Sequence, residues 1–591
     1  MTLVAGIFCR TTRPQILEGA CHTLLSSISR MPDERVTVFR DDRVCIAKVD
    51  IGAFGELAWF QGSDGSVTGV TGEPLYGTDA GIGNRARDTE ILHQGLGDAA
   101  WHELAVTRGA FTAVSYHLRP VRIAIATDRL GLRPMYVWVG DEFVVFTSQL
   151  RVLESLEIVP KEMDVRGVAE LSALGYPLGD RTPYSGIFLL KAAEVLSATD
   201  AGISRHRYWR WDSLEPARAD DATLAATAFE RFESAVVRRI RKDSTTAAYL
   251  SGGLDSRSVV AALRRAAVNV HTFNFSLSGT LDEVIGEEFA RRIGTTHHRG
   301  SKVSAEPQWS AMMSESWGDV RRRLNQLPEH PNLVWSGDGG SVSLGYVYMS
   351  EELVALLRSG DRGAAIEMFL RRQGSNVPLR FLRSSVAREL RGVLQRGIEE
   401  ELAGIDSADP GRAFHLFLML NDQRRHLATH FDNIDLHRLE FQLPFFDGAF
   451  LETVLSVPID SCIGHKFYMR WLERFGPDVT AVPWQAYSGH VPCSLPLPPE
   501  AGYQWGVRHR KRIGAARKKE MLEKARSVLT APDFPDALLN RPYLRIASVM
   551  YALGLRDYRG VMRAAHHFYR YWNASSGRYR LPDASGAFLA K

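Results

Sequence analysis

Along the first 150 residues, apolar positions fall in short runs, several alternating with polar ones: LVAGIF, RVTVFR, RVCIAKVD, FTAVSYHL, VRIAIATD and MYVWVGDEFVVFTS. A period of two over such runs predicts strands, and Gly140-Asp141 between two of them predicts a hairpin turn. Residues 165–210 add a helix-like piece and a second hairpin around SATDAGIS. From about residue 220 the period changes. ATLAATAFERFESAVVRRIRKD repeats apolar residues at helical spacing and gathers bases at its end, where the helix dipole favours them. AAYLSGGLDSRSVVAAL (247–263) then reads as strand, tight loop and helix start, followed by a strand NVHTFNFS and a helix LDEVIGEEFARRIG. Strands alternating with helices predict a parallel α/β sheet. Residues 350–475 are helix-dominated, and VPCSLPLPPEAG (491–502) reads as a Pro-rich linker or ordered loop.

The chain of 591 residues is long enough for several domains, and 45% hydrophobic with 24% charged residues predicts a globular protein. A formal net charge of +4 points by itself to neither nucleic acid nor membrane. No apolar run approaches a membrane span, and MTLVAGIFCRTTR is expected to be a strand and not a signal peptide. Cys9, Cys21, Cys45, Cys462 and Cys493 fit no zinc spacing and no disulfide framework, so a reducing cytoplasm is the expected setting.

The loop Ser251, Gly252, Gly253, Leu254, Asp255, Ser256 carries the first chemistry. Glycines let backbone approach a ligand closely, and a helix start favours an anion. A carboxylate inside a phosphate loop repels its ligand unless a cation lies between, so Asp255 predicts Mg²⁺ bridging to phosphates. The Walker lysine is absent. The bland alternative is a Gly-Gly turn capped by Asp and Ser.

This stretch resembles the pyrophosphate loop of the N-type ATP pyrophosphatases, which cleave ATP to AMP and pyrophosphate. The resemblance continues into the asparagine synthetases. VHTFNFSLSGTLDEVIGEEFARRIGTTHH, VWSGDGGSVSLGY and LEFQLPFFD look like successive synthetase motifs, and ATDRLGLRPMYVW, VVFTSQLRVLES and TPYSGIFLL look like the glutaminase domain of the same enzymes. The resemblance spans roughly residues 1–490. It implies an α/β protein: an Ntn-hydrolase-like αββα sandwich over 1–212, a PP-loop parallel-sheet domain with helical additions (adenine nucleotide α-hydrolase-like) over 213–500, and a basic helical extension over 501–591. It implies ATP and Mg²⁺ as cofactors. ATP is expected on Leu250, Ser251, Gly252, Gly253, Asp255, Ser256, Phe275 and Gly337, with Asp255 and Asp338 at the metal.

The departures from the family carry the rest. Ala5 stands where glutamine-dependent members have an N-terminal cysteine nucleophile, so an inactive glutaminase is expected. Asp338 replaces a family glutamate and is expected as a base or orienter for the incoming amine, or as a metal ligand; a helix N-cap is the bland alternative. Ser341 replaces a second magnesium carboxylate. Glu440 is expected to accept the amine's proton, against an ion pair with an arginine such as Arg438. Trp484 falls on a family lysine that stabilises the leaving pyrophosphate, so another cation is needed, and Lys466 is the candidate. Trp484, Tyr487 and His490 lie in a segment similar to PWQ-x-Y-x-GH-x-PC of the lasso peptide cyclases and are expected at a peptide substrate, against a packed loop.

The whole most resembles a lasso peptide cyclase, which implies adenylation of a side-chain carboxylate of a core peptide and macrolactam closure by the peptide's own N-terminal amine. A leader peptidase and a leader-recognition protein are the implied partners, with no membrane and no nucleic acid. The alternatives are a β-lactam synthetase-like or ammonia-dependent asparagine synthetase-like ligase, and more remotely a non-catalytic nucleotide-binding scaffold or a PP-loop RNA-modifying enzyme. Arg508, Arg510, Lys511, Arg512, Arg517, Lys518 and Lys519 near the C-terminus predict a solvated helix face or a protein contact.

Overall fold

The structure is a computed structural model and describes residues 2–582, apart from 33, 78–83, 242, 277–279, 300–308, 327–330, 332, 438 and 485–506. Strands β1 to β9 (Thr2–Cys9, Val36–Arg40, Val44–Asp50, Trp59–Gln61, Val67–Gly72, Phe111–Leu118, Val121–Thr127, Tyr136–Val139, Phe143–Thr147), the short β10 (Met163–Asp164) and β11 to β13 (Ile187–Leu189, Glu194–Ala198, Ile203–Arg207) make up the first part. They form two antiparallel sheets, ordered β11-β8-β9-β1-β3-β2 and β13-β12-β7-β6-β5-β4. Both expected hairpins are present: β8 pairs with β9 and β12 with β13.

Strand alternation decides the layering. In β1, Val4 and Phe8 face Val114, Tyr116, Ile123 and Ile125 of the other sheet. Ala5 and Ile7 face the opposite way, onto Leu17, Cys21 and Leu24 of the helix Pro14–Ile28. The helix Arg85–Gly97 covers the second sheet through Leu92 and Leu96. This is the αββα sandwich expected from the sequence.

The cysteine expectation is corrected here. Cys21 and Cys45 are joined as a disulfide. They are 24 residues apart in sequence, but the helix Pro14–Ile28 lies across β3, and both side chains share the helix-facing layer. Spacing alone could not reveal this, because the pairing depends on which strand the helix covers.

Strands β14 to β18 (Thr245–Tyr249, Asn269–Phe273, Thr296–His298, Leu333–Trp335, Glu440–Gln442) form one sheet in the order β16-β15-β14-β17-β18, with every pair parallel. The expected helices occupy Asp221–Ile240, Leu254–Arg265 and Leu281–Ile293. Towards the C-terminus, helices Val507–Leu529, Arg541–Ala552 and Arg559–Ala574 follow. They fold back on the first part. Tyr571 packs edge-on to Tyr184 at 5.4 Å, and β19 (Tyr579–Arg580) pairs in parallel with β10. Among the described residues no helix is long and apolar enough to cross a membrane.

Candidate active site

The central strand β14 ends at Tyr249, and the loop that follows opens the helix Leu254–Arg265. In a parallel sheet the carboxyl ends of the strands are where ligands bind. Leu250 donates its N–H to Phe273 O at 2.8 Å, carrying the sheet one residue further. The loop is then held by its own side chains. Ser251 N donates to Ser256 Oγ at 3.0 Å, and Gly252 N donates to Asp282 Oδ1 at 3.0 Å. A Cβ at Gly252 would lie 2.9 Å from Leu281 O, so only glycine fits there. Phe275 packs against Tyr249, ring to ring at 5.8 Å.

Asp255 sits at the helix start and gathers donors from two other elements. Its Oδ2 accepts from Ser341 N at 2.9 Å and Ser341 Oγ at 2.5 Å, and its Oδ1 accepts from Tyr468 Oη at 2.5 Å. Burial pushes its carboxyl up, while the Ser341 and Tyr468 bonds pull the other way. The loop after β17 presses directly onto it. A Cβ at Gly337 would lie 2.6 Å from Ser256 N, and one at Gly340 would lie 2.6 Å from Asp255 Oδ1. The glycines of SGDGG therefore let two loops share one carboxylate.

Asp338 belongs to the same cluster. Its Oδ2 accepts from Ser336 Oγ at 2.6 Å. It does not cap a helix: the short helix Gly340–Ser343 starts from Gly339, with no side-chain cap. Burial pushes Asp338 up to about 6, with the charge of Asp255 adding to the rise and Ser336 and His426 opposing it. The loop, Asp255, Asp338 and Gly337 are thus together, as expected.

Three expected members are elsewhere. Glu440 is fully buried and grips Arg133 of the first part with both oxygens, at 2.6 and 3.4 Å. The β17–β18 register sets it opposite Leu333, while β14 pairs Ala247 with Val334. Glu440 is therefore level with Thr246, five residues short of Ser251, or roughly 15 Å along the strands. Burial alone would raise its carboxyl, but Arg133 and other nearby positive charge hold it down to about 2. It is an interdomain ion pair and not a proton acceptor beside Asp338. Arg438, the arginine expected for such a pair, lies outside the described residues.

Lys466 begins the helix Lys466–Leu472, lies at the surface and approaches Glu351 at 3.6 Å. Tyr468, two residues on, points at Asp255. Two residues turn a helix by about 200°, so Lys466 faces away from the cluster. Trp484 is buried, with its ring 5.7 Å from His465, so it is a packed core aromatic and not an exposed peptide contact. Tyr487 and His490 lie outside the described residues.

The cation closest to the loop in sequence is one the expectations passed over. Arg257, on the first turns of the helix Leu254–Arg265, donates to the carbonyls of Gly253, Val479, Val482 and Pro483, at 3.2, 3.2, 2.8 and 2.5 Å. It straps the segment entering Trp484 onto the helix Leu254–Arg265. Its signal was in plain view as the arginine of SGGLDSRS. Tyr468 had no such signal, because it is far from Asp255 in sequence, and Ser341 had only its place where the resemblance puts a second magnesium carboxylate. Arg257→Lys keeps the charge but loses the planar fork. Losing one charged hydrogen bond, about 1.5–3 kcal/mol, is expected to speed limited proteolysis at 479–484 about tenfold or more. Mass spectrometry of the fragments reads this directly, and unchanged cleavage would remove the strap.

In the first part, Ala5 is buried mid-strand and paired on both sides, with Ala47 and Thr147. Cys9 is also buried, and burial pushes its thiol up to about 11 despite Arg43. Neither position offers a reactive nucleophile.

Residues 83–209 match a glutamine amidotransferase domain, and residues 228–306 match asparagine synthase. The order of the two matches follows the two sheet systems above. In these two stretches the chain is similar to members of the asparagine synthetase family. Among its relatives are a putative glutamine-hydrolysing asparagine synthetase 2 of Methanocaldococcus jannaschii, 26% identical over 50% of this chain and 59% of that protein, and asparagine synthetase 3 of Bacillus subtilis, 26% identical over 36% and 38%. Asparagine synthetase 2 of Arabidopsis thaliana is 27% identical over 32% of this chain and 30% of its own. The aligned stretches thus span from under a third to somewhat over half the length of these family members.

Proposed function

We propose that the chain is an ATP-dependent, AMP-forming amide ligase without glutaminase activity, and that it closes a macrolactam in a peptide, as a lasso peptide cyclase does. The observation that carries the ligase reading is the Asp255 cluster: a glycine loop at the carboxyl end of a central parallel strand, with a second acid, Asp338, coupled to the first. The buried carboxylate of Asp255, whose charge raises its neighbour Asp338, suits a hard divalent cation such as Mg²⁺. Oδ1 of Asp255 keeps a lone pair beyond its bond from Tyr468, while Ser341 N and Oγ occupy both on Oδ2. No group of three or more metal-ligating side chains occurs among the described residues, so phosphate oxygens would have to complete the shell. Asp255 would hold Mg²⁺, which would offset phosphate charge there, and Asp338 beside it would stay free to take a proton.

On this reading the loop N–H groups and the helix start orient the pyrophosphate end of ATP. A substrate carboxylate attacks the α-phosphorus, an acyl-adenylate forms and pyrophosphate leaves. An amine then attacks the acyl carbon, its proton passes to Asp338, and AMP departs. Holding carboxylate and amine of one folded peptide together supplies the proximity. The support for a glutamine-independent amine is Ala5 together with the inert Cys9.

The deciding reaction contains ATP, Mg²⁺ and candidate leader-free peptides, followed by mass spectrometry. Loss of one water with AMP formation is expected. A second reading, with aspartate and ammonia as substrates, is favoured by the names of the matched relatives. A parallel reaction with those two compounds separates it: asparagine formed there, with no peptide dehydrated, would overturn the peptide reading.

Asp338 gives the pH dependence. As an acid raised to about 6, it is charged above that value and neutral below it. Turnover is expected to fall as pH drops through about 6, and Asp338→Asn is expected to be slow with that inflection gone. A pH–rate profile for both proteins checks this.

A further inference from the structure

The C-terminal helices carry surface features that the ligase reading does not use. A cleft of about 760 Å³ lies among the helix Val507–Leu529, the start of Arg541–Ala552, the turn into Arg559–Ala574 and residues 374–380. Six cationic side chains and two acidic ones line it. The two acids are already engaged, Glu520 by Lys524 and Asp557 by Arg559. Arg380, Arg556 and Arg563 form no ion pair with an acid among the described residues. Tyr543 and Tyr558 meet edge-on at 6.4 Å in the wall and give it an apolar component.

An apolar stripe continues from that cleft. Ile546, Val549 and Leu553 are 59, 58 and 68% exposed, and Leu555 just beyond is 67% exposed. The first three are spaced for one helix face, opposite the face that buries Leu544, Ala547 and Tyr551. Leu553 and Leu555 are the two most exposed large apolar residues described. Ile546 stands one turn from Tyr543, and Leu555 precedes Arg556, so stripe and cleft adjoin. A solvated helix face has no reason to be leucine-rich, and a phosphate site has no use for the stripe.

We propose that this surface docks a partner protein through an acidic amphipathic segment. Its carboxylates would enter the cleft at Arg380, Arg556 and Arg563, and its apolar side chains would cover Ile546, Val549, Leu553 and Leu555. Charge complementarity selects the acidic class, and the adjoining stripe selects a protein segment over a nucleic acid. The proposal stands independently of the ligase reading.

The test uses the full chain and a fluorescein-labelled synthetic helix with glutamates on one face and leucines on the other, followed by anisotropy. Binding is expected, and it is expected to weaken about tenfold or more in R380E/R556E/R563E and in I546S/L553S. A peptide with lysines replacing the glutamates is expected to bind the triple variant better than the parent, a rescue that misfolding cannot produce. Unchanged affinity in both variants overturns the proposal, as does equal binding of a scrambled peptide. Phosphatidylglycerol vesicles or polyuridylate binding more tightly than the peptide, with the same sensitivity to the variants, would reassign the surface to lipid or RNA. Concentration-dependent doubling of mass that is lost in I546S/L553S would reassign it to a second copy of this chain.

Discussion

Asp255→Ala is expected to lower pyrophosphate release by more than about a hundredfold, beyond the range seen when only an outer-shell partner of a metal site is lost. The reason is that one carboxylate serves three purposes. It holds Ser341 through backbone and hydroxyl, it holds Tyr468, and on the proposed reading it faces the metal and phosphates. Asp255→Asn separates these. The amide can keep one acceptor oxygen, but its NH₂ meets donors where the carboxylate had an acceptor, and its charge is gone. The asparagine variant is expected to melt close to the parent yet gain no stability from ATP with Mg²⁺. Full turnover in either variant would remove the phosphate-loop assignment. A parent whose melting point does not respond to ATP with Mg²⁺ would do the same.

Glu440→Ala is expected to act on stability and not on chemistry. It leaves Arg133 buried without its carboxylate, which costs about 3–5 kcal/mol when a buried pair loses one member. The neighbourhood offers little relief. Gln442 is already bonded to Glu73 at 2.8 Å, and Arg241 pairs with the same glutamate. A drop of several degrees in the calorimetric midpoint is expected. Arg133→Met with Glu440→Leu is expected to recover much of it, because an apolar pair removes both charges. The sign of the pH effect follows from the carboxyl being held down to about 2. Its contribution is present above the unfolded value of about 4.3 and is lost as pH falls towards 2. The penalty of Glu440→Ala should therefore shrink in acid. A variant as stable as the parent at neutral pH would rule out the ion pair as an interdomain clamp.

The contrast between Asp255 and Glu440 shows which placements in space a sequence can reveal. Asp255 was legible because its neighbours in space are partly its neighbours in sequence: the strand before it, the glycines and the helix after it. Asp338 was legible for the same reason, from the glycines that bring its loop close. Glu440 sits in a motif just as recognisable, yet its role depends on strand register and on Arg133, 307 residues away. Lys466 fails for a simpler reason. Its helix does reach the Asp255 cluster, but through Tyr468 on the opposite face.

By itself, the sequence determined the alternating pattern of the two antiparallel sheets, the change to a parallel α/β unit near residue 220, the glycine loop that opens the helix Leu254–Arg265 and a side chain without a nucleophile at Ala5. These are local properties, written in periods of two and 3.6 and in single residues whose chemistry travels with them. Only the tertiary structure decided that Tyr468 and Ser341 hold Asp255, that Arg257 straps 479–484, that Glu440 clamps the first part to the sheet, that Cys21 meets Cys45, and that Trp484 is core. Each of these joins residues from separate elements. Their meeting is set by how helices and sheets bury their apolar faces together, which no short window of the chain encodes.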